Sequence, residues 1–207
     1  MLRVEHLRFA YPGGDEILRD LSFSLGRGNI VFITGPNGAG KTTLARILAG
    51  ILNPSGGEII LDGWPYRSMT QREIISRVGF SFQNAALHFT RNTVREELAL
   101  ADTWGFPAGN LAVILGLDRL LAIHPLELTQ AERKRLAVAL AAGGRRDVVI
   151  LDEPAQYQDA DGFRMLAEAI RHIAATGAAV LLISHDPRLL AAFPEAGEIS
   201  LVNIQTS

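Results

Sequence analysis

Eight residues, GPNGAGKT at positions 35–42, are the most informative part of this sequence. They follow an apolar run at 29–34 and lead directly into a helical pattern at 42–52. Glycines let such a loop curl until its backbone N–H groups point inward around phosphate oxygens, and a helix start adds further N–H donors. Lys41 adds a positive charge for the β- and γ-phosphates, and the hydroxyl of Thr42 is able to ligate Mg²⁺. The pattern therefore predicts a strand, a phosphate-binding loop and a helix in succession.

A second informative element is VVILDE at residues 148–153. Its apolar part is typical of a buried strand, and Asp152 stands at the carboxyl end, where α/β sheets hold their ligands. Asp152 is expected to hold Mg²⁺ through a bound water, and Glu153 to polarise an attacking water. Two adjacent carboxylates at a strand end also fit ordinary surface charges. The phosphate-binding loop upstream favours the functional interpretation.

Strand and helix patterns alternate along most of the chain. Strands are predicted in seven short runs, at residues 2–9, 29–34, 58–61, 78–82, 147–151, 179–183 and 199–203. Helical patterns at 42–52 and 161–176 lie between them, and Gly177 closes the second. This alternation predicts an α/β fold with a mainly parallel sheet.

Residues 84–144 contain no convincing strand pattern. Helix starts are indicated at Thr93 and near Thr129, with a further helix around 111–115. We therefore expect one domain over residues 1–207. Within it, 1–83 and 145–207 would form the α/β core, and 84–144 an inserted helical subdomain.

Composition excludes several classes of protein. The chain has 207 residues, 48% hydrophobic and 20% charged, which is enough for one good-sized core. Its formal net charge of −2 gives no general attraction to nucleic acid, so no nucleic-acid partner is expected. It has no cysteine, which excludes disulfides and thiolate metal sites. Its first residues, MLRVEHLRF, lack the apolar run of a signal peptide. Its longest apolar runs are far below the roughly 20 residues of a membrane span, so a membrane function would need another chain.

With these elements in this order, the sequence resembles the ATP-binding subunits of ABC transporters over essentially its whole length. Tyr11 precedes the loop as the adenine-stacking aromatic does in that family. Gln83 is similar in position to the glutamine that contacts Mg²⁺ and relays to the membrane partner. Asp159 and His185 look like the family's D-loop aspartate and switch histidine.

The resemblance implies a P-loop NTPase fold, with N-terminal antiparallel β-strands and an inserted α-helical subdomain, that hydrolyses ATP with Mg²⁺. The residues it implies for catalysis are Lys41, Glu153 and His185. Those it implies as holding Mg²⁺ are Thr42, Gln83 and Asp152. Those it implies as contacting the nucleotide are Tyr11, Gly35, Pro36, Asn37, Gly38, Ala39, Gly40, Lys41, Thr42, Thr43, Gln83, Thr129, Ala131, Asp152 and Asp159. It also implies a second ATPase subunit and a transmembrane subunit, with the chain at the cytoplasmic face of the cell membrane.

Three short motifs indicate the subfamily: FAYP at 9–12, FQN at 82–84 and TVREELA at 93–99. They look like those of energy-coupling-factor importers, which by that similarity take up vitamins or transition-metal ions such as cobalt and nickel. The small size is also similar to the ATPase of the haem exporter of cytochrome c biogenesis. A non-transport ABC protein and a weakly hydrolysing regulatory subunit are further alternatives. The sequence names neither the substrate nor the direction of transport.

The segment LTQAE, residues 128–132, lies where the family carries the LSGGQ sequence that caps the γ-phosphate of the opposite subunit's site. Thr129 keeps the hydroxyl, whereas Gln130 and Ala131 replace the two glycines. Thr129 and Glu132 also have the spacing of a capping box. A Cβ at residue 131 limits backbone approach to phosphate, and Glu132 would repel phosphate unless its carboxylate turns back onto the cap. We therefore expect weak engagement of ATP.

The segment AQYQ, residues 155–158, which precedes Asp159, is also atypical. Both atypical segments serve the partner's site in the family, so the sequence suggests a heterodimer. In it, this chain's loop, Glu153 and His185 would complete a competent site with a partner's intact signature, and the opposite site would be weaker.

Overall fold

The computed structural model describes residues 1–84, 89–102 and 108–201. The strands in these ranges are β1 (Leu2–Ala10), β2 (Glu16–Leu25), β3 (Ile30–Thr34), β4 (Gly56–Leu61), β5 (Trp64–Pro65), β6 (Val78–Ser81), β7 (Val148–Asp152), β8 (Ala179–Ile183) and β9 (Gly197–Ser200). The helices are α1 (Lys41–Leu48), α2 (Gln71–Arg77), α3 (Val94–Asp102), α4 (Ala108–Ile114), α5 (Gln130–Ala142), α6 (Ala160–Ala175) and α7 (Pro187–Ala192). The strands form two sheets, and the larger one positions the candidate site.

The larger sheet has five parallel strands in the order β6-β7-β8-β3-β9. Successive side chains of a strand point to opposite faces. On β7, Val149 and Leu151 pack on the side of helices α3–α6, whereas Val148 and Ile150 pack on the side of α1 and β1. Both faces are therefore covered, which explains the continuous apolar runs. Because the strands are parallel, the segments that follow β3, β7 and β8 meet at one edge.

The smaller sheet is antiparallel, with the order β2-β1-β4-β5. It confirms the expected antiparallel strands near the N-terminus. The sequence patterns predicted neither β2 nor β5. In β2 the buried positions alternate irregularly with exposed ones, so its apolar pattern is diluted. β5 has two residues, too few for any periodicity to show.

Several of the predicted element boundaries differ from the structure by one to four residues. The helix predicted at 42–52 ends at Leu48, because Gly50 adopts a left-handed φ of 71° soon after it. The strand predicted at 199–203 begins earlier, as β9, and residues 202–203 lie outside the described residues. By contrast, α6 ends just before Gly177, whose φ of 93° is the predicted closing conformation.

The described residues between β6 and β7 form helices and short turns, with no strand among them. The hydroxyl of Thr93 accepts from the N–H of Glu96 at 3.2 Å, but the carboxylate of Glu96 accepts from Asn92. The capping box predicted at 93–96 is therefore only half formed. Helix α5 begins after Thr129, as predicted. None of the helices in the described ranges is long and apolar enough to cross a membrane.

Candidate nucleotide-binding site

The loop between β3 and α1 curls as its glycines predict. Gly35, Gly38 and Gly40 have φ values of 138°, 83° and 91°, a region that L side chains rarely adopt. Space is limited as well. A Cβ on Gly35 would lie 2.3 Å from the carbonyl oxygen of Leu201, and one on Gly40 would lie 2.7 Å from Cγ2 of Ile17. The loop therefore needs glycine for both its conformation and its packing.

Positive charge is concentrated where this loop enters α1. The N-cap of the helix is Gly40, which has no side chain to bond the first N–H groups. The positive end of the helix dipole therefore faces the loop. Lys41, only 9% exposed, donates from Nζ to the carbonyl oxygens of Gly35 at 2.7 Å and Pro36 at 2.9 Å. This arrangement suits a polyanion such as a triphosphate.

Two oxygen groups beside the loop fit a magnesium ion. The hydroxyl of Thr42 donates to the carboxylate of Asp152 at 3.2 Å, and both are hard oxygen ligands of the type that Mg²⁺ prefers. No group of three or more His, Cys, Asp or Glu side chains able to hold a metal occurs among the described residues. The pair therefore suits an ion that keeps water and phosphate oxygens as its other ligands.

The electrostatic setting of Asp152 agrees with such a cation. Asp152 is only 2% exposed. Burial raises its pKa, the hydrogen bond from Thr42 opposes this shift, and the charge of Glu153 adds to it. A bound cation would favour the ionised carboxylate and so offset the effect of burial.

Glu153 follows β7 with an unusual backbone conformation, a φ of 48°. Its N–H donates to the carbonyl oxygen of Ile183 at 2.8 Å. Its carboxylate accepts from the hydroxyl of Ser184 at 3.1 Å. The side chain is partly exposed at the edge where the phosphate-binding loop begins. It therefore stands in a position from which a carboxylate can act on a water at the phosphate.

His185 and Asp159 occupy different settings. His185 follows β8 as an exposed residue, and β8 pairs with β7 so that Asp152 lies opposite Ile183. The histidine is thus brought to the same edge as Asp152. Asp159 is the N-cap of α6, where its carboxylate accepts from the N–H of Gly162 at 2.8 Å. This contact gives Asp159 a structural function within the chain.

Tyr11 is placed by a contact with α1, and Gln83 by a cavity whose lining it shares with Lys134. The hydroxyl of Tyr11 is 3.5 Å from that of Thr43, which places the aromatic ring beside the start of α1. Gln83 is exposed after β6 and lines a cavity of about 380 Å³ together with Lys134 and Gln130. Lys134 also bonds the backbone carbonyl oxygen of Asp152, so Gln83 shares a cavity with a residue that contacts the candidate site.

The start of α5 is a complete capping box. Thr129 accepts at its hydroxyl from the N–H of Glu132 at 3.3 Å, and its own N–H and O–H donate to the Glu132 carboxylate at 2.8 and 2.7 Å. The carboxylate is thus turned back onto the cap. Burial raises the pKa of Glu132, but the bonds from Thr129 and the charge of Arg135 outweigh it, so the net shift is downward. A hydroxyl can donate one hydrogen bond, and the Thr129 hydroxyl donates it to the Glu132 carboxylate.

A comparison with known protein families identifies the family to which this arrangement belongs. The family model described as "ABC transporter" matches residues 18–156, which include the loop, β7, the start of α5 and Glu153. This chain belongs to the ABC transporter ATP-binding family. Its antiparallel sheet, five-stranded parallel sheet and surrounding helices are the fold of an ABC ATPase.

Relatives of this ABC ATPase include proteins of named transport systems. A Bacillus subtilis protein, YkoD, named as a candidate HMP/thiamine import ATP-binding protein, is 37% identical over 95% of this chain and 36% of its own length. EcfA of Methanothermobacter thermautotrophicus, an energy-coupling factor transporter ATP-binding protein, is 34% identical over 94% of this chain and 66% of its own length.

A solved structure agrees with these relatives. The structure of cbiO1 from Clostridium perfringens, part of the ABC transporter complex cbiONQ, has a TM-score of 0.76 at 26% identity, over 89% of this chain and 78% of that one. Several curated relatives are much longer than this chain, which spans 36%, 44% and 33% of the length of three of them.

In this ABC ATPase the atypical segment at 155–158 is bonded to the start of α5. Gln158 donates from Nε2 to the carbonyl oxygen of Ala131 at 3.0 Å, and Arg135 donates to its Oε1 at 3.1 Å. The neighbouring Tyr157 is exposed at a φ of 67°, a strained conformation for a bulky residue. The two segments that depart from the family pattern are therefore in direct contact.

Sequence reasoning missed two residues of this candidate site. Ser184 bonds Glu153, and Lys134 donates from Nζ to the carbonyl oxygen of Asp152 at 3.2 Å. Burial lowers the pKa of Lys134, while the charges of Asp152 and Glu153 oppose that shift. The available signal for Lys134 was its spacing on α5, three and four residues before the apolar Ala137 and Val138, which face the core.

Proposed function

We propose that this chain binds and hydrolyses ATP as the ATPase subunit of an ABC transporter. The observation that carries the proposal is the assembly of a glycine loop, a buried lysine and two carboxylates at one edge of the parallel sheet. Lys41 lies in the loop, Thr42 bonds Asp152 at 3.2 Å, and Glu153 follows directly. Family membership supports the same reaction.

The proposed mechanism assigns each group one task. The loop N–H groups and Lys41 bind the phosphates and offset the charge that develops as the terminal phosphoryl group leaves. Thr42 and Asp152, with Gln83, would hold Mg²⁺, which would supply positive charge to offset that of the phosphates. Glu153 accepts a hydrogen bond from the attacking water, orients it and takes up its proton as general base.

The remaining assignments concern the base and the γ-phosphate. Tyr11, beside the start of α1, would stack on the adenine. His185, at the same edge as Asp152, would donate to the γ-phosphate. Both follow from position together with the resemblance to the family.

Glu153→Gln tests the function directly. The amide cannot accept the water's proton, so we expect turnover to fall at least about 100-fold, the lower range of general-base contributions. ATP affinity should be retained, because Glu153 contacts none of the loop groups in the described structure. Phosphate release and titration calorimetry measure the two quantities. Glu168→Gln, at an exposed position on α6, is the matched control. A Glu153→Gln protein that hydrolyses ATP at the parent rate would remove Glu153 from this function.

The proposed working unit contains two ATPase chains packed head to tail. In it, Thr129 and Ala131 of one chain face the γ-phosphate in the site of the other, and Asp159 lies near the same contact. The self-bonded capping box and the strained Tyr157 support a heterodimer, in which a partner chain supplies a glycine-containing signature to this chain's site. Equal ATPase activity of the chain alone and of its mixture with each candidate partner would count against a heterodimer.

A transmembrane subunit is the second proposed partner, with the chain at the cytoplasmic face of the membrane. An apolar groove of about 450 Å³ lies between the α2–β6 region and helices α3 and α5. Phe82, which lines it, directly precedes Gln83 in the chain. Ile51, Ile75 and Leu100 are exposed along it. We assign this groove to the transmembrane subunit, because cbiO1 is described as part of a transporter complex.

The proposed cargo is a vitamin or a transition-metal ion, taken up by an importer of the energy-coupling-factor type. The names of YkoD and EcfA support this assignment. Co-purification of the chain with its membrane partner, followed by uptake of labelled thiamine precursor, cobalt or nickel into vesicles, tests it. Outward transport of the cargo would contradict it.

A weakly hydrolysing regulatory subunit is the second candidate. The observation that favours it is the hydrogen bond that the Thr129 hydroxyl donates to Glu132, because a hydroxyl engaged in this way does not donate to phosphate. A steady-state ATPase assay of the assembled complex separates the two candidates.

A further inference from the structure

Lysine is rare in this chain. Of its 20 Lys and Arg residues, only Lys41 and Lys134 are lysines, and both are buried. Lys41 belongs to the phosphate-binding loop. Lys134 lies on the second turn of α5, is 2% exposed, and has no task in the mechanism above. Taking an ammonium group out of water is unfavourable unless the group is paired, so the burial of Lys134 requires a physical reason.

The group that Lys134 contacts is the peptide between Asp152 and Glu153. Nζ of Lys134 donates to the carbonyl oxygen of Asp152 at 3.2 Å. The N–H of the same peptide belongs to Glu153 and donates to the carbonyl oxygen of Ile183 at 2.8 Å. Both polar ends of one peptide group are therefore bonded, one to α5 and the other to β8. Rotation of this peptide is restricted from two sides.

The restriction matters because the residue that follows is strained. Glu153 has a φ of 48°, a strained conformation for an L residue that persists only where the surroundings hold it. Ser184 fixes the far end of the same residue through its carboxylate, at 3.1 Å. If the peptide were released, Glu153 would relax toward an ordinary φ, and its carboxylate would move.

We propose that Lys134 is a positioning residue for Glu153, which holds the backbone conformation that aims the carboxylate at the attacking water. The proposal rests on the proposed function of Glu153 in ATP hydrolysis. Lysine suits the task because its ammonium is compact and reaches a single carbonyl along a slender stem. Since Lys134 belongs to α5, the contact also connects the helix that begins at Thr129 with the peptide that precedes Glu153 in the same chain.

Lys134→Met tests the proposal. Methionine keeps a similar length and volume but removes the ammonium. We expect kcat to fall at least about tenfold, toward the ~100-fold that a 1 Å misplacement costs. KM and the ATP affinity should change little. The unfolding temperature should change little, because the variant loses one hydrogen bond to a carbonyl oxygen but also no longer pays the cost of burying an ammonium group. A lower unfolding temperature with a raised KM would instead assign Lys134 a structural function and overturn the proposal.

A double variant separates action through Glu153 from independent action. If Lys134 acts through Glu153, then Lys134→Met/Glu153→Gln should hydrolyse ATP no more slowly than Glu153→Gln alone in single-turnover assays. A further loss of about tenfold in the double variant, or a Lys134→Met kcat within about twofold of the parent, would overturn the proposal.

The same experiments distinguish this proposal from the function on which it rests. A parent protein without ATPase activity, or a fully active Glu153→Gln protein, would contradict the proposed function itself. An active parent and an inactive Glu153→Gln protein, together with a normal Lys134→Met protein, would contradict only the positioning by Lys134.

Discussion

Helices α1 and α5 both begin at segments proposed to face ATP, yet their first N–H groups are bonded differently. α1 starts after Gly40, which offers no side chain, and its first residue is the cation Lys41. α5 starts after Thr129, and the carboxylate of Glu132 is folded back over that start. The first helix start leaves its donors for an external anion, whereas the second already has an anion of its own.

A third helix shows that the α5 arrangement does not depend on nucleotide. α2 begins with TQRE at 70–73 and α5 with TQAE at 129–132. The corresponding three bonds measure 2.6, 2.8 and 3.3 Å in α2, and 2.8, 2.7 and 3.3 Å in α5. α2 has no proposed function in hydrolysis. A helix N-terminus therefore binds a ligand phosphate well only where the sequence has not supplied a substitute carboxylate.

Making α5 resemble α1 should give the largest effect. In Gln130→Gly/Ala131→Gly the long side chain and the Cβ that limit backbone approach are removed. Each regained charge-assisted hydrogen bond is worth about 1.5–3 kcal/mol, so we expect the ATPase rate of the purified chain to rise at least about tenfold. Steady-state phosphate release at several protein concentrations measures it.

The matched control for this variant is Gln71→Gly/Arg72→Gly, the same backbone change at the start of α2. It should leave the ATPase rate at the parent level. If both double variants behave alike, the start of α5 does not limit ATP engagement, and the proposed weakness of this segment is wrong.

A smaller effect should separate the two capping boxes. Thr129→Ala and Thr70→Ala each remove a cap hydroxyl, so both should lower the free energy of unfolding by about 1 kcal/mol. Only Thr129→Ala should also lower the ATPase rate, because it releases the Glu132 carboxylate from the cap, and that carboxylate would then repel the γ-phosphate in the proposed dimer. Urea denaturation and phosphate release measure the two quantities. Equal ATPase rates in the two variants would place the start of α5 outside the site.

The conformation of both helix starts could be predicted from sequence, because each depends on a few neighbouring residues. The glycines at 35–40 predict a curled loop, and the pair Thr129 and Glu132 predicts the capping box. The structure shows both. It also shows that the carboxylate of Glu132 turns back onto the cap. From the sequence, Glu132 was expected to repel phosphate unless it took this orientation.

Tertiary contacts explain what the sequence did not reveal. Lys134 reaches a carbonyl 18 residues further along the chain, and Ser184 reaches Glu153 across 31 residues. No local pattern encodes such pairs. The same holds for β2, whose pairing with β1 rather than its own periodicity makes it a strand.

Titration calorimetry of Mg–ATP tests the contrast between α1 and α5 most directly. It would compare Lys41→Met and Thr129→Ala, each in the Glu153→Gln background so that hydrolysis does not contribute heat. We predict one ATP per chain, an affinity about 10- to 150-fold weaker in Lys41→Met, and an unchanged affinity in Thr129→Ala. Equal weakening in the two variants, or no binding by the background protein, would contradict the assignment of the phosphates to the start of α1.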